Sequence, residues 1–381
     1  MTILMLNYEF PPLGGGAGKI TQYQSLELSR KHKIIVVTTA FKDLPYHEKI
    51  DNIDIYRLPS LRKSIHRSNV VEMLSWLHHA RKFCFEFLKF TRIDLIVAHF
   101  TLPCGELAYR IHKKLGIPYI VHSHGHDIPW FFPKQMWLYH VLTYFRIQRI
   151  CRNASKTILL TPQLKKIADK FTGKRHSDKN IVIPNGIDVH AFPYNNTMQF
   201  DVFRIFFAGR LVEQKNPLLI IEALKLLDKN DIPFEACIAG DGPLFGMAKK
   251  RTEKYGLQNK IRLCGWKDTS FIRNEISRSN VFVLPSKAEA MSVAVLEALC
   301  SGLFVITTQQ GDQHQLIQPG INGNILSTDS ATELAALIID YYNLFFLQKK
   351  GVDNGSSSII REKYNYTNIG KQYLALVNEI Q

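Results

Sequence analysis

The strongest constraint on the fold is a rhythm that runs through the chain twice. Short apolar runs alternate with longer helical stretches. In the first half TILMLNY (2–8), KIIVVTTA (33–40), IDIYRLP (53–59), DLIVAHF (94–100), YIVHSHG (119–125), KTILLTP (156–162) and IVIPNG (181–186) read as strands. FRIFFAG (203–209), FEACIAG (234–240), KIRLCG (260–265), VFVLPS (281–286), LFVITT (303–308) and GNILS (323–327) repeat the scheme. Most are continuous apolar runs rather than alternating ones, the pattern of strands buried on both faces of a parallel sheet. Segments 18–31, 104–115, 216–230, 291–302 and 367–380 carry helical periodicity. Two successive βα arrays imply two doubly wound sheets with a cleft between them. A linker is expected at 188–201, and GVDNGSSS (351–358) reads as a second break.

A chain of 381 residues is long enough for two cores. Its six cysteines show no CxxC spacing, so they read as isolated buried thiols rather than a disulfide scaffold or zinc site. No uncharged apolar stretch reaches the ~18–20 residues that span a bilayer. The N-terminus reads as a first strand, with no basic leader before it. These features point to a cytoplasmic protein. The net charge of +15 is lopsided: residues 1–200 hold 28 Lys and Arg against 14 Asp and Glu, residues 201–381 hold 20 against 19. A basic first half suits anionic lipid headgroups or a polyanionic substrate. No nucleic-acid reader motif accompanies the charge, so nucleic acid is not an expected partner.

PPLGGGAGKIT (11–21) invites comparison with phosphate-binding loops. A P-loop needs G-x-x-x-x-G-K-[ST], but Leu13 occupies its first position and Ile20 its last. A dinucleotide turn counted from Gly14 ends on Lys19, and no acidic residue closes the second strand. What remains is a glycine-rich turn whose backbone can approach a ligand, with helix amides facing an anion. Gly15 and Gly16 are its candidate contacts, and Lys19 is set aside.

Other motifs are more specific. SKAEAMSVAVLEAL (286–299) holds Glu289 and Glu297 with seven residues between them, FAGRLVEQKN (207–216) and GDGP (240–243) stand upstream, and PGINGNIL (319–326) follows. With HGHD (124–127) and PNGID (184–188), this ordered set resembles the retaining, nucleotide-sugar-dependent glycosyltransferases of family 4 across essentially the whole chain. The resemblance implies the α/β GT-B fold, with two Rossmann-like doubly wound domains facing across a cleft. It implies an acceptor-binding domain at 1–190, a nucleotide-sugar-binding domain at 200–360, and a helix at 361–381 packing back on the first domain.

The resemblance also assigns roles. Arg210 and Lys215 match the pair that clamps the donor diphosphate, where positive charge meets the negative charge that develops as the glycosidic bond breaks. Glu289 matches the residue that accepts hydrogen bonds from donor-sugar hydroxyls, and Glu297 the one that binds the ribose. The amides of Met291 and Ser292, with Val293, would face the phosphates from a helix starting near Met291. Gly209, Gly240 and Asn185 fall at the family's substrate-binding positions. His124 corresponds to a donor-sugar contact and Asp127 to acceptor or loop positioning. His122, His124 and His126 with Asp127 could also be read as metal ligands, but the family needs neither metal nor cofactor, and His122 and His126 are taken as structural. The chain departs from the family at Ala290, Leu303 and Gln315. These changes bear on the donor-sugar subtype and leave the clamp intact.

The implied activity is retaining transfer of a sugar from a UDP- or GDP-sugar to a glycan or lipid-linked (polyprenyl) acceptor, as in bacterial cell-surface polysaccharide synthesis. The basic first half suggests peripheral contact with the anionic inner face of the plasma membrane. Two other readings stay open: a non-catalytic sugar-nucleotide-binding scaffold, motivated by the three departures, and a nucleotide-sugar epimerase.

Overall fold

The computed structural model describes residues 1–65, 68–131, 133–194, 201–311, 313–348 and 354–380. In the first part of the chain the elements are β1 (Thr2–Leu6), α1 (Gly16–Ser29), β2 (Lys33–Thr39), β3 (His47–Ile50), β4 (Ile53–Leu58), α2 (Val70–Phe87), β5 (Leu95–His99), α3 (Glu106–Leu115), β6 (Tyr119–His122), α4 (Pro133–Asn153), β7 (Lys156–Leu159), α5 (Pro162–Thr172) and β8 (Asn180–Val182). The second part runs through β9 (Arg204–Ala208), α6 (Pro217–Lys229), β10 (Glu235–Ala239), α7 (Phe245–Lys254), β11 (Ile261–Gly265), α8 (Thr269–Ser277), β12 (Val281–Leu284), α9 (Val293–Cys300), β13 (Phe304–Thr308), β14 (Gly323–Leu326), α10 (Ala331–Tyr341) and α11 (Asn354–Lys363). A last helix, α12 (Tyr366–Glu379), closes the chain.

These elements form two compact units, one of residues 1–186 with 366–381, the other of 187–365. The first holds an eight-stranded sheet in the order β3-β4-β2-β1-β5-β6-β7-β8, parallel except for β3 on its edge. The second holds a wholly parallel six-stranded sheet, β11-β10-β9-β12-β13-β14. Both are α/β sheets of Rossmann type.

Every strand read from the sequence is a strand here, because successive side chains point to opposite faces and both faces are covered. In β1, Leu4 and Leu6 join the core beneath α2, α3 and α4 with Trp76, Leu107 and Ile150. Ile3 and Met5 join the opposite core with Leu28 of α1 and Ile369, Tyr373 and Leu376 of α12. Tyr23 of α1 stacks on Tyr366 of α12, ring centroids 4.8 Å apart. The second unit packs Phe206 against Phe282 edge-on, and Phe304 against Tyr341 of α10 at 4.6 Å.

Two expectations need correction, and a third lies partly outside the described residues. The break at 351–358 is not one throughout: residues 351–353 lie outside the described residues, and α11 begins at Asn354. Buried Ser357 donates to the Cys300 carbonyl at 2.8 Å, so this serine run packs a helix against α9 instead of forming a loop. The linker expected at 188–201 is described only to Tyr194 and again from Asp201. The cysteines are all free but not all isolated, since Cys237 and Cys264 on neighbouring strands β10 and β11 bring their sulfurs to 3.3 Å.

The strand order positions the chemistry. In sheets of this kind, ligands bind beyond the carboxyl ends of the strands, where successive connections leave in opposite directions. That point lies between β1 and β5 in the first unit and between β9 and β12 in the second.

Candidate active site

In the second unit the loops after β9 and β12 meet at this switch point. The turn after β9 is fixed backbone to backbone on the GDGP loop: the Gly209 amide donates to Ala239 O at 3.0 Å and the Leu211 amide to Asp241 O at 2.9 Å. A Cβ on Gly240 would stand 1.8 Å from the Gly209 carbonyl oxygen, so only glycine permits this approach. The loop is then stitched to its neighbour: the Lys287 amide donates to Gln214 O at 2.8 Å, and Gln214 Nε2 to Ala288 O at 2.7 Å. Arg210 lies exposed on this rigid turn.

The pair at the centre is Lys215 and Glu289. Lys215 Nζ donates to Glu289 Oε2, to which Ser286 Oγ also donates at 3.4 Å. Both side chains are largely buried, 14% and 11% exposed. A cation and an anion withdrawn from water this far hold each other, and removing either strands the other. Gly311, at φ +62°, backs the loop, since a Cβ there would stand 2.3 Å from the Ala290 carbonyl oxygen. Asp312 beyond it lies outside the described residues.

The helix following Glu289 starts at Val293, two residues later than the sequence suggests. Ser292 is its N-cap, its hydroxyl accepting from the Val295 amide at 3.4 Å, while Met291 and Ser292 lie buried in the approach to the helix. Glu297 is buried on α9, one turn into the helix.

In the first unit, Gly15 caps α1 and, with Gly16, is exposed, with no acidic side chain in the helix's first turn. The loop before it is anchored by a residue that sequence reasoning missed. The buried guanidinium of Arg62 donates to three backbone carbonyls, Tyr8 O at 3.1 Å, Ser64 O at 2.8 Å and Ile65 O at 2.9 Å, with Glu9 at 3.9 Å. The Gly14 amide returns to Ile65 O at 2.7 Å. Nothing in the neighbourhood of Arg62 in sequence signals this role, because its partners lie at both ends of a long excursion.

Across the same switch point, β5 ends in His99 and β6 in His122, and His124 follows. His99 Nδ1 lies 3.1 Å from His124 Nε2, and the three rings stack with centroids 4.8–5.3 Å apart. Burial pushes His99 and His124 well below the usual imidazole range, and His122 to about 3. His99 was also missed; its position at the end of a switch-point strand identifies it once the strand order is known. The three rings bring ligand atoms within 4.8 Å of one another. The His122 and His124 rings lie in nearly parallel planes, 13° apart.

Asp127 organises the histidine loop. Its carboxylate accepts from the Thr101 amide at 2.8 Å, Ser123 Oγ at 2.7 Å and the His124 amide at 3.1 Å. Burial raises its pKa while these donors pull it down. Asn185 is buried in the turn after β8. His126 offers its carbonyl to His140 Nε2 at 2.9 Å.

Comparison with known proteins converges on one family. Residues 14–191 match the model of Glycosyltransferase Family 4, and residues 198–354 that of Glycosyl transferases group 1. A glycosyltransferase of Methanocaldococcus jannaschii is 25% identical over 358 residues, spanning 93% of this chain and 92% of its own. The UDP-Gal:alpha-D-GlcNAc-diphosphoundecaprenol alpha-1,3-galactosyltransferase of Escherichia coli is 27% identical over 342 residues, 85% of this chain and 84% of its own. Among solved structures, Anabaena HepE in complex with UDP-glucose shares the fold, with a TM-score of 0.77 at 17% identity over the full length of both chains. The two matched models cover every strand of both sheets but β1, and the chain belongs to the family 4, group 1 glycosyltransferases of GT-B fold.

Proposed function

We propose that the protein transfers a sugar, with retention, from a UDP-sugar to a glycan or polyprenyl-diphosphate-linked acceptor in the synthesis of a cell-surface polysaccharide. The observation that carries this reading is the Lys215–Glu289 pair, held at a switch point beside exposed Arg210. A departing nucleoside diphosphate gathers negative charge, and Arg210 and Lys215 supply fixed positive charge on a turn locked to Gly209 and Gly240. When a donor enters, Lys215 exchanges the Glu289 carboxylate for the diphosphate, which frees Glu289 to accept from the sugar hydroxyls. Glu297 takes the ribose, and the amides of Met291, Ser292 and Val293 face the phosphates. His124, kept neutral by burial and oriented by Asp127, contacts the donor sugar. Gly15, Gly16 and Asn185 complete the substrate contacts. The acceptor oxygen attacks the face the diphosphate leaves, and the departing phosphate takes its proton.

The UDP-sugar assignment is supported by the galactosyl donor in the name of the Escherichia coli relative and by the UDP-glucose bound to HepE. The diphosphoundecaprenol acceptor in the former name and the basic first half support peripheral work at the inner face of the plasma membrane.

The test is Lys215→Ala and Glu289→Ala in a transfer assay, with a thermal-shift screen of UDP, GDP, ADP and their sugars. Each variant should lose ~10²–10³ of the transfer rate, the range for removing one donor at a developing charge. Near-native transfer by both variants overturns the assignment. Stabilisation by GDP alone overturns the choice of donor, and conversion of donor to an isomer without acceptor would mark an epimerase.

A further inference from the structure

We propose that the exposed face of α4 is a membrane-docking surface that inserts into the headgroup region of an anionic bilayer. Large apolar side chains exposed to water are concentrated here: Trp137, Leu138, Val141, Leu142 and Phe145 are all at least half exposed, Leu142 at 75% and Phe145 at 80%. Their spacing makes a single stripe. At the helical pitch the five fall within an arc of about 140°. The opposite side of the same helix is committed to the core through His140, Ile147, Ile150 and Cys151. Exposed apolar residues scattered singly need no explanation, but a contiguous stripe on one helix marks an interaction surface.

The charge beside the stripe selects the occupant. The C-terminal turns of α4 carry exposed Arg146, Arg149 and Arg152, of which Arg149 and Arg152 continue the apolar arc. No Asp or Glu occurs between Asp127 and Asp169. An interfacial helix of this make-up, with Trp, Leu and Phe on its apolar side and arginines beside them, lies in the plane of an anionic membrane. A second copy of the chain fits less well, since pairing this face with itself offers the arginines no acidic partner on α4. The fold adds a geometric reason. α4 follows β6, so its apolar N-terminal half stands at the carboxyl end of the sheet, where the Gly15 turn and His124 lie. Val70, Val71 and Leu74, also exposed, open α2 at that same end, and Leu61 is exposed in the connection before it. Docking through this end would bring a lipid-linked acceptor to the loops of the first unit, a consequence that rests on the function proposed above; the docking itself does not.

The test is co-sedimentation of the full chain with phosphatidylcholine vesicles, with and without about 30 mol% phosphatidylglycerol. The wild type should sediment with the anionic vesicles. Leu142→Gln with Phe145→Gln should weaken this roughly tenfold or more at unchanged melting temperature, the apolar area being lost without any change in charge. Arg146→Gln with Arg149→Gln should weaken it at low salt and matter little at high salt. Undiminished binding by the Leu142/Phe145 variant, or no binding by the wild type to either vesicle, overturns the proposal. A wild-type dimer that the same variant converts to monomer would assign the face to a second copy instead. Sedimentation reads no transfer, so failure here leaves the catalytic assignment standing, and a catalytically dead enzyme that still docks leaves this one standing.

Discussion

Arg62 shows how much a single side chain can hold when its charge is buried. Burial pulls its pKa down, and Glu9 at 3.9 Å pushes it back up, so the guanidinium stays charged at the centre of the glycine-rich loop. Its three carbonyl partners come from two segments, Tyr8 just before that loop and Ser64 and Ile65 just after Arg62 itself. Arg62→Met keeps much of the aliphatic stem but removes three hydrogen bonds at ~0.5–1.5 kcal/mol each, although Tyr8 O keeps the Thr39 hydroxyl at 2.9 Å and Ile65 O the Gly14 amide at 2.7 Å. The expected loss is ~3 kcal/mol of unfolding free energy, read by urea or thermal melts. Arg62→Lys should recover only part of it, because a single ammonium cannot reproduce a planar fork aimed at three carbonyls. A melting temperature unchanged in Arg62→Met would show that the loop is held by other contacts.

Among the elements, the neighbouring strands β10 and β11 contain a reactive pair that spacing in the sequence conceals. A register shift between Ile238 and Ala239 turns Cys264 toward Cys237. The bond they share, with Arg262 and Lys267 nearby, lowers the partly exposed Cys264 to about 7 and keeps the proton on Cys237, whose pKa is raised. Treatment with a mild disulfide-forming oxidant such as diamide should therefore join them, each thiol giving up one hydrogen to the oxidant. Intact mass should fall by two hydrogens and one crosslinked peptide should appear, while Cys264→Ser abolishes both. A crosslink elsewhere, or none, would contradict the pairing. The pair also marks the limit of what the sequence discloses. Short apolar runs, most of them continuous, reveal strands, and the thirteen read from the sequence are all strands. β3 escaped because its HEKI segment lies on an exposed edge with no apolar pattern to betray it. Glu289 and Lys215 could be named from motif spacing, but their contact depends on which strands are neighbours. His99 was hidden for the same reason, and so was the contact of Arg62 with Tyr8, 54 residues away in sequence.

At the scale of the whole molecule, that order sets the acid sensitivity as well as the site. Placing β5 beside β6 stacks His99 and His122 in an interior with no water exposure, and both are held neutral by burial. Nε2 of His99 and both ring nitrogens of His122 have no hydrogen-bond partner among the described residues, so nothing in the fold rewards their protonation. An unfolded imidazole takes up a proton below pH ~6.5. Between that value and the folded pKa, about 3 for His122, the unfolded chain binds more protons than the native one. Stability is therefore full above pH ~6.5 and falls as the pH drops below it. Each such histidine should cost ~1.4 kcal/mol by pH 5.5, so this pair costs ~3 kcal/mol, with His124, His32 and His140 acting in the same direction. The buried carboxyl of Asp127 and that of Glu27 have their pKa raised by burial and act in the opposite sense. Urea unfolding measured from pH 7.5 to 5.5 should show the midpoint falling steadily below pH 6.5. His122→Gln should flatten the curve by the equivalent of one proton whatever it does to stability at pH 7.5, because that difference is fixed by the group that no longer titrates. An identical slope in wild type and His122→Gln would mean that the acid sensitivity arises outside the histidine stack.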